Sequence, residues 1–179
     1  YLSSQVGIGS GLSSSASIEV MIGTILNHLY NDGRISPVRI AQIGQFAENE
    51  YFGKPCGLMD QLAIAVGGML EIDFKDKNPK IIETDYDQEK AGFDLIIVDT
   101  GGNHADLTHN YAAIPQEMKA IASQFDKESC RELDMPVVLA NISVLRDKVG
   151  DRAILRCLHF LNENRRVDLL AETIASDDY

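Results

Sequence analysis

Residues Gly9 to Ser17 read G-S-G-L-S-S-S-A-S, and residues Ala47 to Gln61 read A-E-N-E-Y-F-G-K-P-C-G-L-M-D-Q. The first stretch sets a glycine turn against a serine-rich helix start, which builds an anion site without basic side chains. Glycines let main-chain N–H groups approach a phosphate closely, and a first helical turn adds unpaired donors and the positive end of the macrodipole. The hydroxyls of Ser13, Ser14 and Ser15 add donors and one candidate magnesium ligand. A solvated loop capping a helix has the same spacing, so spacing alone does not separate the two readings. Sharper motifs are excluded. Walker A needs a lysine where Leu12 stands, and Gly7, Gly9 and Gly11 alternate instead of following G-x-G-x-x-G. The hydrolase elbow G-x-S-x-G is also missing.

In the second stretch Asp60 lies among Leu58, Met59 and Leu62, and a carboxylate in apolar surroundings requires a partner or a task. The alternative is a helix cap or a buried hydrogen-bonded acid. Glu48 and Glu50 have the composition of a solvated helix face. An acid near the end of one helix and an acid just beyond the break can nevertheless converge on one cation. That geometry suits magnesium, which takes one or two protein carboxylates and keeps its other positions for water and phosphate. A third stretch, His104 to Tyr111, holds two histidines and Asp106, but the spacing fits no closed metal site. There Asp106 or Thr108 is read as the cap of the following helix.

These residues have to be positioned by regular elements. Ile18, Ile22, Ile25 and Leu29 predict an amphipathic helix over 15–30, ended by Asn31-Asp32-Gly33. Ser36-Pro37 starts a second helix with Ile40, Ile43, Ala47 and Tyr51 as its buried stripe, stopped by Gly53 and Pro55. A short helix is expected from Leu58, a turn at Gly67-Gly68, and a hairpin of strands at 69–74 and 81–84. Phe93 to Asp99 is apolar on both faces and predicts a central strand. Helices are expected over 110–125, 141–148 and 152–173, the last two separated by Gly150.

Composition narrows the partners. A net charge of −11 argues against nucleic acid or an anionic membrane surface, while leaving room for a phosphorylated ligand neutralised by amides and a divalent cation. Cys56, Cys130 and Cys157 are odd in number, far apart and without a C-x-x-C pair, which predicts free or buried thiols. No signal segment opens the sequence, and the longest apolar run, Leu62 to Leu70, is too short to span a bilayer. A cytoplasmic location is expected. The start at Tyr1, close to the glycine turn, predicts a piece of a larger protein.

The two stretches, in this order with one helix and loop between them, resemble the galactokinases of the GHMP small-molecule kinase superfamily. The strand at 93–99, the tyrosine-bearing loop after it and the run H-F-L-N-E-N-R-R-V from His159 to Val167 are similar to the same family, so the resemblance covers most of the chain. It implies an α/β (α+β) fold of two lobes, a ribosomal-S5-domain-2-like N-terminal lobe over 1–90 and a ferredoxin-like C-terminal lobe over 91–179, both incomplete. It implies phosphorylation of the anomeric hydroxyl of galactose by ATP with Mg2+. By this resemblance Gly9, Ser10, Gly11, Leu12, Ser13, Ser14 and Ser15 would wrap the nucleotide phosphates, and Ser15 with Glu50 would hold magnesium. Asp60 would accept the sugar hydroxyl proton, with Gly57 and Tyr111 lining the sugar pocket. There are departures. Gln5-Val6-Gly7 replaces the proline that introduces the family's glycine loop, and Ala112-Ala113-Ile114-Pro115 replaces an arginine-rich continuation. The family's N-terminal galactose-recognition motif and C-terminal glycine-rich motif do not occur, which predicts an inactive fragment. A kinase for another sugar and a non-catalytic sugar and ATP sensor are the alternatives.

Overall fold

The structure, a computed structural model, describes residues 3–7, 11–98 and 108–176. They form two compact units, Tyr1–Asp106 and Leu107–Tyr179. In the first, helices α1 (Ser14–Asn31), α2 (Pro37–Glu50) and α3 (Met59–Val66) pack on one another and precede strands β1 (Met69–Asp73) and β2 (Lys80–Thr84). The strands pair antiparallel, Met69 opposite Thr84 and Asp73 opposite Lys80. Gly67 and Gly68, with φ of 80° and 72°, make the left-handed turn between α3 and the hairpin that side-chain-bearing residues disfavour.

Helix boundaries follow local chemistry. Ser36 accepts a hydrogen bond from the Arg39 amide, and Pro37 occupies the first helical position of α2, where its missing N–H costs nothing. α1 ends with Asp32 at φ 52°. The buried Asn27 closes the α1–α2 connection from within. Its amide donates to the Ile35 carbonyl at 2.9 Å and its oxygen accepts from the Ile35 N–H at 3.0 Å.

The packing corrects the predicted stripe of α1. Ile18, Ile22, Ile25 and Leu29 are 42–68% exposed, and the helix instead buries Ala16, Val20 and Asn27. The period was right and the phase was not. The buried set is offset by two residues, about 200° around a helix. Small residues explain the choice: a Cβ on Gly23 would lie 2.9 Å from Ile40 Cγ2, so α1 and α2 approach there because Gly23 has none. α2 behaves alike, burying Ile40, Ala41, Gly44 and Glu48 while Ile43 and Tyr51 face outward.

A second correction concerns the expected central strand. Residues 93–98 form no strand, and Leu95, Ile96, Ile97 and Val98 are exposed. Among the described residues the only ladder is β1–β2. A strand exists by its hydrogen-bonded neighbour, which an apolar run cannot supply. Asp99 lies outside the described residues.

The second unit is helical: α4 (Thr108–Ser123), a 3-10 turn (Cys130–Glu132), α5 (Met135–Ala140), α6 (Ile142–Val149) and α7 (Asp151–Ser176). The 3-10 turn and α5 were not expected from sequence. Ile121, Ala122, Leu133, Val138, Leu145, Ile154 and the free thiols Cys130 and Cys157 make the core. At its edge Glu117 on α4 accepts from Arg152 at 2.8 Å and from Arg156 at 2.6 Å, both on α7. No helix among the described residues is long and apolar enough to cross a membrane.

The Arg152 hydrogen bond, helped by the charges of Arg152 and Arg156, outweighs desolvation and holds the Glu117 carboxyl below its ordinary range. The unfolded chain therefore takes up this proton first as pH falls. Stability from the clamp is complete above the ordinary carboxylate range and disappears as pH drops through the depressed value. The thermal midpoint of the second unit should show this loss, and Glu117→Gln should remove that part of its pH dependence. Superimposable profiles would show that the clamp contributes nothing.

Candidate active site

Two helix starts meet in the first unit. Ser13, immediately before α1, takes a left-handed conformation at φ 57° and ψ 41°, following Gly11 at φ 75°. From there its hydroxyl donates to Asp60 Oδ2 at 2.7 Å, in the first turn of α3. Because Ser13 serves Asp60, it does not cap α1, and the first turn of that helix has no side-chain cap from its N-terminal residue. Ser17 steadies the turn by bonding back to the Ser13 carbonyl at 3.0 Å.

Asp60 itself is exposed, as is Met59 beside it, with Leu62 fully buried beneath. Its expected apolar surroundings are not found: the first turn of a short helix turns the carboxylate to solvent and the apolar neighbour inward. Gly11 and Leu12 are exposed and Ser14 half-buried. Gly57 is exposed, with nothing within 4 Å of where a Cβ would stand. Tyr111 belongs to the second unit, half-exposed near the start of α4. Gly9, Ser10, His104 and Asp106 lie outside the described residues.

Ser15 and Glu50 are not brought together. Ser15 borders a groove of about 590 Å³ shared with Glu19, Glu48 and Lys54, whereas Glu50 lines a separate depression with Arg39 and Phe46. Residues two apart on a helix point to nearly opposite sides, so only one of Glu48 and Glu50 can face α1. Glu48 does, and it is 4% exposed.

A buried carboxylate has to be compensated. Lys54 donates to Glu48 Oε1 at 2.6 Å, and Gln61 donates to Glu48 Oε2 at 3.0 Å. Burial pushes the Glu48 carboxyl up, but hydrogen bonds from Lys54, Cys56 and Ser15 outweigh it and leave the group below its ordinary value. Glu19, one turn after Ser15, moves the other way, raised chiefly by desolvation. Burial and the Glu48 hydrogen bond push the Cys56 thiol up to about 11, so it is not a thiolate nucleophile. Gln61 also reaches Glu19 at 3.1 Å, while its own Oε1 is buried without a partner, a cost of about 1–3 kcal/mol. Asn49 and Gln45 hold the Cys56 backbone, which fixes the loop leading to Asp60.

Glu19, Lys54 and Gln61 were not singled out from sequence. The available signal for Glu19 and Ser15 was their four-residue spacing on one helix face. Among the described residues no three His, Cys, Asp or Glu side chains gather as a metal cage. A hydroxyl and a carboxylate oxygen are nonetheless the hard donors that magnesium accepts in small number. Lys54→Ala should leave Glu48 short of its counter-charge. Because Lys54 is more than half exposed, the cost should be about 1–2 kcal/mol, between a surface pair and a buried one. A urea midpoint equal to that of the unsubstituted protein would contradict this.

Residues 1–68 match the family described as GHMP kinases N terminal domain. The galactokinase of Clostridium tetani is 30% identical over 168 residues, covering 93% of this chain and 42% of the relative. That of Homo sapiens is 32% identical over 179 residues, covering 98% of this chain and 43% of the relative. Lactococcus lactis galactokinase, solved in complex with galactose, superposes with a TM-score of 0.71 at 25% identity, over 96% of this chain and 44% of that one. The chain thus spans less than half the length of these relatives. The mixed helix and strand fold is that of the galactokinase structure, and residues 1–68 are similar to the N-terminal domain of the GHMP kinases.

Proposed function

We propose that this chain carries the phosphate turn and the general base of a galactokinase, which transfers the γ-phosphoryl group of ATP to the anomeric hydroxyl of galactose. The 2.7 Å bond from Ser13 to Asp60 carries the reading, because it sets a carboxylate beside a helix start whose amides Ser13 leaves uncapped. Phosphoryl transfer asks a protein mainly for alignment and charge neutralisation. As the sugar oxygen bonds to phosphorus, its O–H bond breaks and the proton passes to Asp60, while the bond from the γ-phosphorus to the bridging oxygen breaks and ADP leaves. An exposed, hydrogen-bonded carboxylate suffices, since its work is to orient the hydroxyl and take its proton. The amides of α1 and residues 9–15 would hold the phosphates. Gly57, three residues before Asp60, offers open space for a sugar ring.

Magnesium would screen the phosphate charges. Ser15 with Glu48, the pair that shares a groove, would hold it in place of Ser15 with Glu50. The acidic composition and free cysteines support a cytoplasmic setting.

In the whole protein that contains this chain, Asp60→Asn should lower galactose-dependent ADP release by roughly 10²–10⁴-fold while ATP binding by calorimetry is retained. Undiminished turnover would remove Asp60 from the mechanism, and turnover of another monosaccharide in preference to galactose would reassign the substrate. Glu48→Gln should raise the magnesium concentration needed for half-maximal rate, and Glu50→Gln should not. The reverse pattern would return the cation to Glu50.

A further inference from the structure

Beyond the residues that touch phosphate, metal or sugar, the first unit contains a polar pair that this chemistry leaves unexplained. Glu19 and Gln61 sit where α1, α2 and α3 converge, Gln61 only 1% exposed. The Gln61 amide nitrogen has two hydrogens and two carboxylate acceptors, Glu48 Oε2 at 3.0 Å and Glu19 Oε2 at 3.1 Å, with Cys56 Sγ a distant third at 3.8 Å. Turning the amide over would aim its oxygen at two carboxylates, so the observed orientation is imposed by them. The same orientation strands Gln61 Oε1 in the interior with no donor. A core glutamine kept only for packing would not need that defect, and a leucine would fill the space without it.

Backbone space is reserved for the pair as well. A Cβ on Gly44 of α2 would stand 3.3 Å from both Cβ and Oε2 of Glu19 and 3.5 Å from Cγ of Gln61. Glu48, meanwhile, has one oxygen fixed by Lys54 and the other by Gln61. With Lys54 on a loop and exposed, the Gln61 amide is the rigid half of that clamp, and it keeps its orientation only while Glu19 accepts its second hydrogen.

We infer that Glu19 is a positioning residue of the cation site, acting through the Gln61 amide to set the Glu48 carboxylate. This rests on the cation role of Glu48 given above. Glu19 works as a hydrogen-bond acceptor and needs no contact with the metal. Substitution of such a supporting group typically weakens metal binding by about 10–100-fold.

The test is a titration of the whole protein with Mn2+ alone, followed by electron paramagnetic resonance of the free ion, with thermal midpoints measured alongside. Glu19→Met should raise the Mn2+ dissociation constant at least roughly tenfold. Glu19→Gln, which keeps an acceptor oxygen but no charge, should restore most of the affinity. Glu19→Met combined with Gln61→Met should be no worse than either change alone, as expected of residues acting in series. If Glu19→Met does not fold, Gly44→Ala, which presses on the same carboxylate, carries the same expectation. Unchanged affinity in these variants would overturn the inference while leaving the cation site standing, and so would a Glu19→Gln protein as weak as Glu19→Met. Failure of the unsubstituted protein to bind Mn2+ would overturn the cation site and this inference together.

Discussion

The burial of one carboxylate organises the first unit. Glu48 is nearly inaccessible, and an acid in that position has to collect donors from whatever surrounds it. Lys54 comes from the loop after α2, Gln61 from α3, and Ser15 from the first turn of α1. Each element that approaches Glu48 does so with a polar group, and that convergence fixes how the three helices meet. It also explains why the helices interlock through Ala16, Gly23, Ala41 and Gly44, with Ile40 seated against Gly23, and not through the isoleucine stripe of α1. Small residues let backbones come near enough for short polar reaches, while bulky ones would hold the helices apart.

The phase of α1 follows from the same demand. An isoleucine stripe of ideal period is the stronger hydrophobic signal, and burying Ile18, Ile22, Ile25 and Leu29 would remove far more apolar surface than burying Ala16 and Val20. The helix nevertheless turns its Ala16 and Val20 face inward, the face on which Asn27 bonds the Ile35 backbone. Ile18 and Ile22 of that stripe line the open groove. Periodicity identified the helix because period is local; it could not identify the facing because facing is chosen by neighbours. The Glu48 and Glu50 question has the same origin. Two acids two residues apart look equivalent in a sequence, and only the direction of α2 relative to α1 separates them.

Elsewhere legibility tracked how local the deciding interaction is. The Ser36-Pro37 start, the Asn31 to Gly33 stop, the hairpin and the long α7 were readable because caps, turns and strong periodicity act within a few residues. α5 and the 3-10 turn were not readable from apolar spacing. The six residues of α5 are too few to show a period, and Pro136 in its first turn has the composition of a loop. The signal that was present is the pair Ser129 and Glu132, a reciprocal cap in which the Glu132 carboxylate accepts from the Ser129 amide at 3.2 Å. Residues 93–98 failed in the opposite direction. Their composition suits a strand, but pairing depends on residues remote in sequence.

The serine run shows how one short segment serves two acids. Ser13 and Ser15 are two residues apart at a helix start, so their hydroxyls leave the backbone in different directions: one reaches Asp60 on α3, and the other faces Glu48 on α2. Ser13 accomplishes this from a left-handed conformation that costs a side-chain-bearing residue about 1–2 kcal/mol. A right-handed Ser13 would extend α1 by one residue and carry its hydroxyl round with the helix, away from Asp60. The strain is therefore the condition for separating Asp60 from the acid that faces Ser15. It holds one carboxylate on one side of the helix start and the other carboxylate on the other, with no side-chain cap on the helix between them. In the proposed reaction a triphosphate seated on the amides of that helix would meet a cation held at Glu48 from one side and the Asp60 carboxylate from the other, the division of labour that phosphoryl transfer to a hydroxyl calls for.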